Sequence, residues 1–367
     1  MSVLTTILYF LPVLGALVFF HELGHFLVAR WCGVKSDVFS LGFGPELWAR
    51  VDRHGTRWRL ALIPLGGYVR FHGDADAASA GVEASGMSEE DLRVSFHTQP
   101  VWKRALIVAA GPIANFILAI VIFAGLAFFV GQGVRAPRVE SLRPGEVAEA
   151  AGFRPGDLVI SINGGPIESW SDLQRIVSTS AEIPLNFMVE RDGKQIALTA
   201  TPKLRVIDTP FGKNRVGLIG LMGSIKPEDW HIKHFGPIGA MEQGVKETWY
   251  VVERTGAFLA GLVMGRESIE QVSGPIGTAN IIGKVAEIGL ASLIATTGVL
   301  SVSVGLFNLL PIPLLDGGHL LFHAVEALKG GAVSERAQEY AFRLGFLVVA
   351  VLTLFTTFND VWRLLWG

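Results

Sequence analysis

Two histidines four residues apart, with a glutamate beside the first, form "HELGH" at residues 21–25 of an otherwise apolar segment. On a helix, His21 and His25 share a face one turn apart. Two imidazoles so placed can hold one Zn²⁺, and Glu22 between them can reach a water on that ion. The H-E-x-x-H spacing therefore suits zinc-assisted hydrolysis. The ion acidifies water and polarises a carbonyl, while the carboxylate takes a proton and returns it to a leaving amine. Residues 1–20 carry no charge at all. Ionisable groups in such surroundings are costly, so the default reading is that they have a function there.

Two histidines leave tetrahedral zinc short of one protein ligand, with another position open for water. The missing ligand is expected on another apolar segment. "GPIANF" (111–116) offers Asn115, a poor zinc ligand, and the last apolar run has nothing ionisable before Asp360. "FNLLPIPLLDGGHLLFHAVEALK" (307–329) is richer. Pro311 and Pro313 break a helix there and free backbone groups that must find partners or line a cavity. Asp316 follows, and Gly317-Gly318 let the backbone pack closely. Asp316 is the preferred third ligand. His319 and His323, also four apart, are the alternative, and their plain reading is a pair of histidines at a membrane edge. Asn308, one turn before the break, is placed either to bond a substrate backbone or to cap freed helix carbonyls.

The elements that must hold these groups are membrane helices. Half of the 367 residues are hydrophobic and only 17% are charged, which points to a polytopic α-helical membrane protein. Residues 105–130 and 288–315 carry no charge, and each exceeds the ~20 residues a spanning helix needs. The run 344–359 is shorter, but Trp362 and Trp366 follow it as interfacial anchors. Four spans are expected, at 1–31, 104–132, 288–322 and 343–364. The first lacks the basic start and small-residue cleavage site of a signal peptide. A net charge of −2 gives no reason to expect a nucleic acid partner, and a single cysteine excludes an internal disulfide. Arg30, Lys35, Lys103, Arg104, Lys329, Arg336 and Arg343 flank the spans, which puts the loops bearing them in the cytoplasm and the segment between spans two and three outside.

Between the spans, "TRWRLALIPLGGYVRFHGD" (56–74) alternates, breaks at Pro64 and Gly66-Gly67 and resumes, so a membrane-associated β-hairpin or β-loop is expected over 56–73 within a cytoplasmic segment 32–103. The small, acidic stretch 73–91 is expected to be a loop. Residues 133–206 form a soluble α+β unit. It runs strand, short helix, Pro-Gly-Asp turn, strand "DLVISING", a helix opened by Ser171, then a hairpin around Asp192-Gly193. "AEAAGFRPGDLVISING" resembles a bacterial PDZ domain, a module that binds peptide ends by strand addition. Residues 207–287 read as a linker and amphipathic helices on the membrane surface.

"HELGH", "NLLPIPLLDGG" and a PDZ between spans two and three together resemble the site-2 protease family, most closely its regulator-of-sigma-E type. "LIPLGGYVRFHGD" (62–74), "GPIANF" and "SGPIGTANIIG" (273–283) extend the resemblance to nearly the whole chain. It implies a bacterial inner-membrane zinc endopeptidase, with its active site near the cytoplasmic side and its PDZ domain in the periplasm. It implies His21, His25 and Asp316 as Zn²⁺ ligands and Glu22 as catalytic base. Substrate would meet Asn308, Pro311 and Pro313, and the β-loop around Leu65, Gly66, Gly67 and Tyr68 would engage it as an added strand. The implied substrates are transmembrane proteins trimmed beforehand, such as an anti-sigma factor or leftover signal peptides, with a peptide C-terminus as a ligand for the PDZ domain. Family members with tandem PDZ domains differ from this chain, which has room for one. Two other readings use the same residues: a membrane-anchored PDZ scaffold with a structural zinc site, and a metal-ion transporter. Glu22 argues against the first, and the apolar second and fourth spans argue against the second.

Overall fold

The computed structural model describes residues 3–73, 88–209, 212–224, 226–265 and 272–366. The chain forms two compact units, a helical one that carries both termini and an inserted one built on Ala127–Gly236. The helical unit opens with α1 (Val3–Trp31), followed by β1 (Ser36–Val51), β2 (Arg57–Phe71), the short α2 (Glu89–Val94) and α3 (Val101–Phe129). Ser88 caps α2 with a reciprocal Ser88–Asp91 capping box. Of the loop expected at 73–91, residues 74–87 lie outside the described residues.

The hairpin expected within 56–73 does not form. Residues 57–71 are one strand whose two halves do not pair with each other. Both halves pair with β1 instead. The run 38–41 lies between residues 67–70 on one side and 57–60 on the other, while 57–61 also pairs with 46–51. The physical reason is apolar content: Val38 and Phe39 are buried, so this run takes the central place and draws a partner to each edge. The break at Pro64–Gly67 bends β2 without folding it onto itself, with Gly66 at a φ of +125° that few other residues tolerate. Phe39 stacks on Trp58 with ring centroids 4.3 Å apart, and both meet Phe26 of α1, which fixes the sheet against that helix.

In the inserted unit, β3 (Gln132–Arg135) and β4 (Val139–Leu142) lead to α4 (Val147–Ala150), β5 (Leu158–Ile162), β6 (Gly165–Pro166) and α5 (Trp170–Thr179). Next come β7 (Leu185–Arg191), β8 (Lys194–Ala200), β9 (Lys203–Thr209), β10 (Gly212–Leu218), β11 (Leu221–Gly223) and β12 (Trp230–Lys233). The main sheet has the order β6-β5-β7-β8, with β4 paired to β11 and β3 to β12. This is the strand, short helix, strand, longer helix, hairpin order of a PDZ-like α+β domain. Helix α5 begins two residues earlier than expected, because Ser169 rather than Ser171 accepts the Asp172 amide and lets Trp170 enter the core. Asp192 and Gly193 both have positive φ, as a two-residue hairpin turn requires. One core joins Val139, Phe153, Val159, Trp170, Leu185 and Phe187.

The chain then returns to the helical unit as α6 (Pro237–Val263), α7 (Pro275–Ile288), α8 (Leu290–Asn308), α9 (Asp316–Lys329) and α10 (Glu335–Trp366). Four helices are long and apolar enough to cross a membrane: Thr5–Trp31, Val101–Phe129, Leu290–Asn308 and Arg336–Trp362. The third span is thus shorter than the 288–322 expected. Gly289, at φ +143°, separates α7 from α8, and the helix stops at Asn308 because Pro311 has no amide to continue it. Val13 and Leu17 of α1 pack with Ile282 of α7 and with Leu300 and Val304 of α8. Asp360 of α10 is buried and accepts the backbone amides of Gly274 (3.2 Å) and Gly277 (2.7 Å), which caps α7 from another helix.

Inside the inserted unit, Asp157 is fully buried and takes two guanidinium bonds from Arg191 (2.7 and 2.8 Å) and the Arg154 amide (2.8 Å). Asp157→Ala is expected to destabilise this unit by about 3 kcal/mol, the cost of stranding a paired charge. Hydrogen exchange would show it as lost protection in β5, β7 and β8 with protection in α1 retained.

Candidate active site

Helix α1 carries His21, Glu22 and His25, and α3 lies against it with backbone contact. A side chain on Gly24 would overlap Ala110 O, and one on Gly111 would overlap the His25 ring. These small residues let the two apolar helices close around the imidazoles. His25 Nδ1 is 2.9 Å from Ile107 O and so donates to it, which leaves Nε2 as the free face of the ring. His21 is buried with its Nδ1 3.2 Å from the carboxamide of Asn115, itself fully buried. Ser301 Oγ of α8 donates to Asn115 O (2.8 Å), tying a third span to the same place.

The third side chain comes from the turn after α8. Leu315 N donates to Ile312 O (2.9 Å), and Leu314 has a φ of +124°, a strained value for a branched residue. Asp316 is the first residue of α9. Side chains on Gly317 or Gly318 would overlap Leu309 O or Ile312 O, so these glycines allow the turn to fold back onto the start of α9. Asp316 Oδ2 thereby sits 3.1 Å from His21 Nε2, and Oδ1 sits 3.5 Å from His25 Nε2. The two Nε2 atoms are 3.2 Å apart.

Among the described residues, His21, His25 and Asp316 are the one group of three such side chains whose ligand atoms converge, all within 4.8 Å. Protons do not satisfy this arrangement. Asp316 Oδ2 is buried and takes no well-directed hydrogen bond despite its short distance to His21. Two imidazole nitrogens and a carboxylate oxygen converging in a largely buried site are a zinc donor set, so the residues fit the expected ion. Glu22 stands beside this group. The Val69 amide of β2 faces its carboxylate, and a Cβ on Gly67 would lie 3.2 Å from Glu22 Cγ.

The remaining expected residues take other places. His319 packs on Phe342, and His323 is buried near Phe96 and 3.9 Å from Glu326, so neither joins the group. Asn308 Nδ2 donates to Val304 O (3.0 Å), the capping role rather than an open donor. Pro311 and Pro313 shape the turn that returns Asp316. Tyr68 stacks on Phe43 at 6.0 Å and lies under Arg59, while Gly66 makes room for the Phe43 ring. Leu65 belongs to β2, and its side chain lies outside the described residues. By its own chemistry Asn115 is a poor ligand, and its place is beside a ligand-type histidine instead. The signal for it was there: a carboxamide in a charge-free span needs a partner, and a ligand histidine needs its second nitrogen fixed.

Metal content is expected to follow this packing. Gly111→Val should expel the His25 ring and abolish zinc retention, read by elemental analysis of purified protein. Asn115→Leu should weaken zinc about 10–100-fold against a chromophoric chelator, while Asn115→Asp, whose carboxylate can accept a proton-bearing His21 Nδ1, should retain it.

Comparison with known proteins agrees with this geometry. Residues 9–352 match peptidase family M50. A candidate zinc metalloprotease of Brucella suis is 47% identical over 359 residues, covering 97% of this chain and 95% of the relative. Metalloprotease MmpA of Caulobacter vibrioides is 38% identical over 379 residues (96% and 94%), and protease RseP of Yersinia pestis is 32% identical over 458 (99% and 100%). The PDZ domain of an SdrC-like protein from Listeria monocytogenes matches 25% of this chain and 86% of its own length, at 20% identity and a TM-score of 0.18. The chain belongs to peptidase family M50, the site-2 proteases, and is a membrane-bound zinc metalloprotease.

Proposed function

We propose that this protease is an intramembrane endopeptidase that cuts single-pass proteins within their membrane segments. One observation carries the reading. The converging group of His21, His25 and Asp316, with Glu22 beside it, is built from helices that are themselves long and apolar enough to cross a membrane, or from the turn that follows one. His21, His25 and Asp316 would hold the Zn²⁺, which when bound supplies a Lewis acid for the scissile carbonyl and acidifies water. Glu22 is the base. Its carboxylate, oriented by the Val69 amide, takes a proton from the attacking water and delivers it to the leaving nitrogen.

A substrate helix hides its amides in its own hydrogen bonds and must unwind to be cut. The run 67–71 pairs with β1 along one edge, and its Val69 amide points away from that partner toward Glu22. An unwound substrate segment can add as a strand at this edge and recover its lost bonds beside the base. Gly66, Gly67 and the backbone of Leu65 and Tyr68 form the approach. Asn308, Pro311 and Pro313 bound the opposite side through the turn that carries Asp316.

The basic residues flanking the spans favour an inner-membrane placement with β1, β2 and the active site toward the cytoplasm, and the inserted domain in the periplasm. There the PDZ-like domain would admit proteins whose outer part has already been trimmed, either as a steric filter or by binding the new C-terminus. Truncated anti-sigma factors and remnant signal peptides have that form.

The test is mass-spectrometric detection of cleavage in liposomes, using a single-pass helix with a short outer tail. Wild type should cut inside the helix. Glu22→Gln should bind as much zinc and cut nothing. Equal zinc with no cutting by wild type across a panel of short-tailed helices would sink the proposal.

A further inference from the structure

We propose that the β1–β2 sheet carries a binding site for the phosphate headgroup of an anionic lipid, built from Arg50 and Arg53 between Trp48 and Trp58. These residues, with Val51 and Asp52, line a recess of about 280 Å³ at the end of β1. Its place is fixed by α1. Arg30, in the last turn of that helix, bonds Asp52 at 3.0 Å, and Trp58 packs on Phe26 one turn earlier. The recess therefore lies where the first span leaves the hydrocarbon, at headgroup depth.

Its charge favours an anion. Asp52 is fully engaged. Burial works against its ionised form, but hydrogen bonds from Trp58 Nε1, the Thr56 and His54 amides and Arg30 outweigh this and hold its carboxyl down at about 2. Glu46 is taken by Arg57 and Arg59. Arg50 and Arg53 are exposed and form no ion pair among the described residues, so two cationic forks border the recess without a counter-charge. Guanidinium matches phosphate oxygens in pairs.

Its surroundings favour a lipid over a dissolved anion. Trp48 is more than half exposed on β1, and Leu60 opposite it and Leu62 two residues on continue the apolar surface on β2. Arg50 stands opposite Trp58 and Trp48 opposite Leu60, so apolar and cationic groups share one face of the sheet. That face is the one turned to α1, since Trp58 lies on it. Acyl chains on the apolar part with the phosphate between the arginines satisfy both halves of the surface, and tryptophan is the side chain that prefers this boundary.

The test is native mass spectrometry of the full-length protein in detergent, titrated with phosphatidylglycerol, phosphatidylcholine or inorganic phosphate. Wild type should retain phosphatidylglycerol in preference to phosphatidylcholine. Arg50→Gln with Arg53→Gln should weaken phosphatidylglycerol retention about tenfold or more, while zinc content stays at the wild-type value. The Arg50→Lys, Arg53→Lys pair, which keeps the charge but not the fork, should fall between wild type and the glutamine pair. Equal retention of the two lipids by wild type overturns the proposal whatever the variants do. Displacement of phosphatidylglycerol by millimolar inorganic phosphate would also overturn it, by making the site one for a free anion.

Discussion

The approach of α1 to α3 at Gly24 and Gly111 is the constraint on which the site rests. Apolar side chains offer no force that distinguishes helix from lipid, so two spans bind each other through close backbone contact and the few polar bonds they can make. Here the contact is tight enough that a methyl group on either glycine would strike the opposing helix or its imidazole. In return, Ile107 O and Asn115 on α3 are brought within reach of the two histidine rings on α1. The imidazoles are thus oriented before any ion arrives. That preorganisation reduces the ordering left for metal binding to supply.

Around that contact, each other element contributes one group. The turn after α8 returns Asp316, at the expense of a strained Leu314 and two glycines with no space for side chains. The sheet contributes the Val69 amide to Glu22, and the sheet is itself held by Phe39 and Trp58 against Phe26 of the same α1. A single helix therefore positions two of the three proposed metal ligands, the proposed base and the strand that faces it. Errors in the α1 environment should spread to all three.

What the sequence made legible follows from range. His21, Glu22 and His25 are related by helical spacing alone, so their shared face could be read from four residues. Asp316 was legible because prolines and glycines mark a broken helix and because few other intramembrane carboxylates compete. The strand pairing of 57–71 was not. Its turn signal at Pro64–Gly67 is real, but which partner a strand takes depends on the relative burial of a distant segment, and Val38 and Phe39 outweighed the local choice. Asn115 escaped for a related reason. Its role is defined by the second nitrogen of a histidine 94 residues away, and nothing in its own neighbourhood states that. Ser169 displaced Ser171 as the helix cap by the same logic, since the register that buries Trp170 decided between two serines.

Asp360 bears on how such a protein is made. It completes the amino-terminal turn of α7, and α7 lies against α1 through Ile282, Val13 and Leu17. Until the ribosome has delivered residue 360, the first amides of α7 have no carboxylate to receive them, and the helix that supports the histidine-bearing span is unfinished. Completion of that helix thereby waits on a residue 86 positions downstream of the amide it receives.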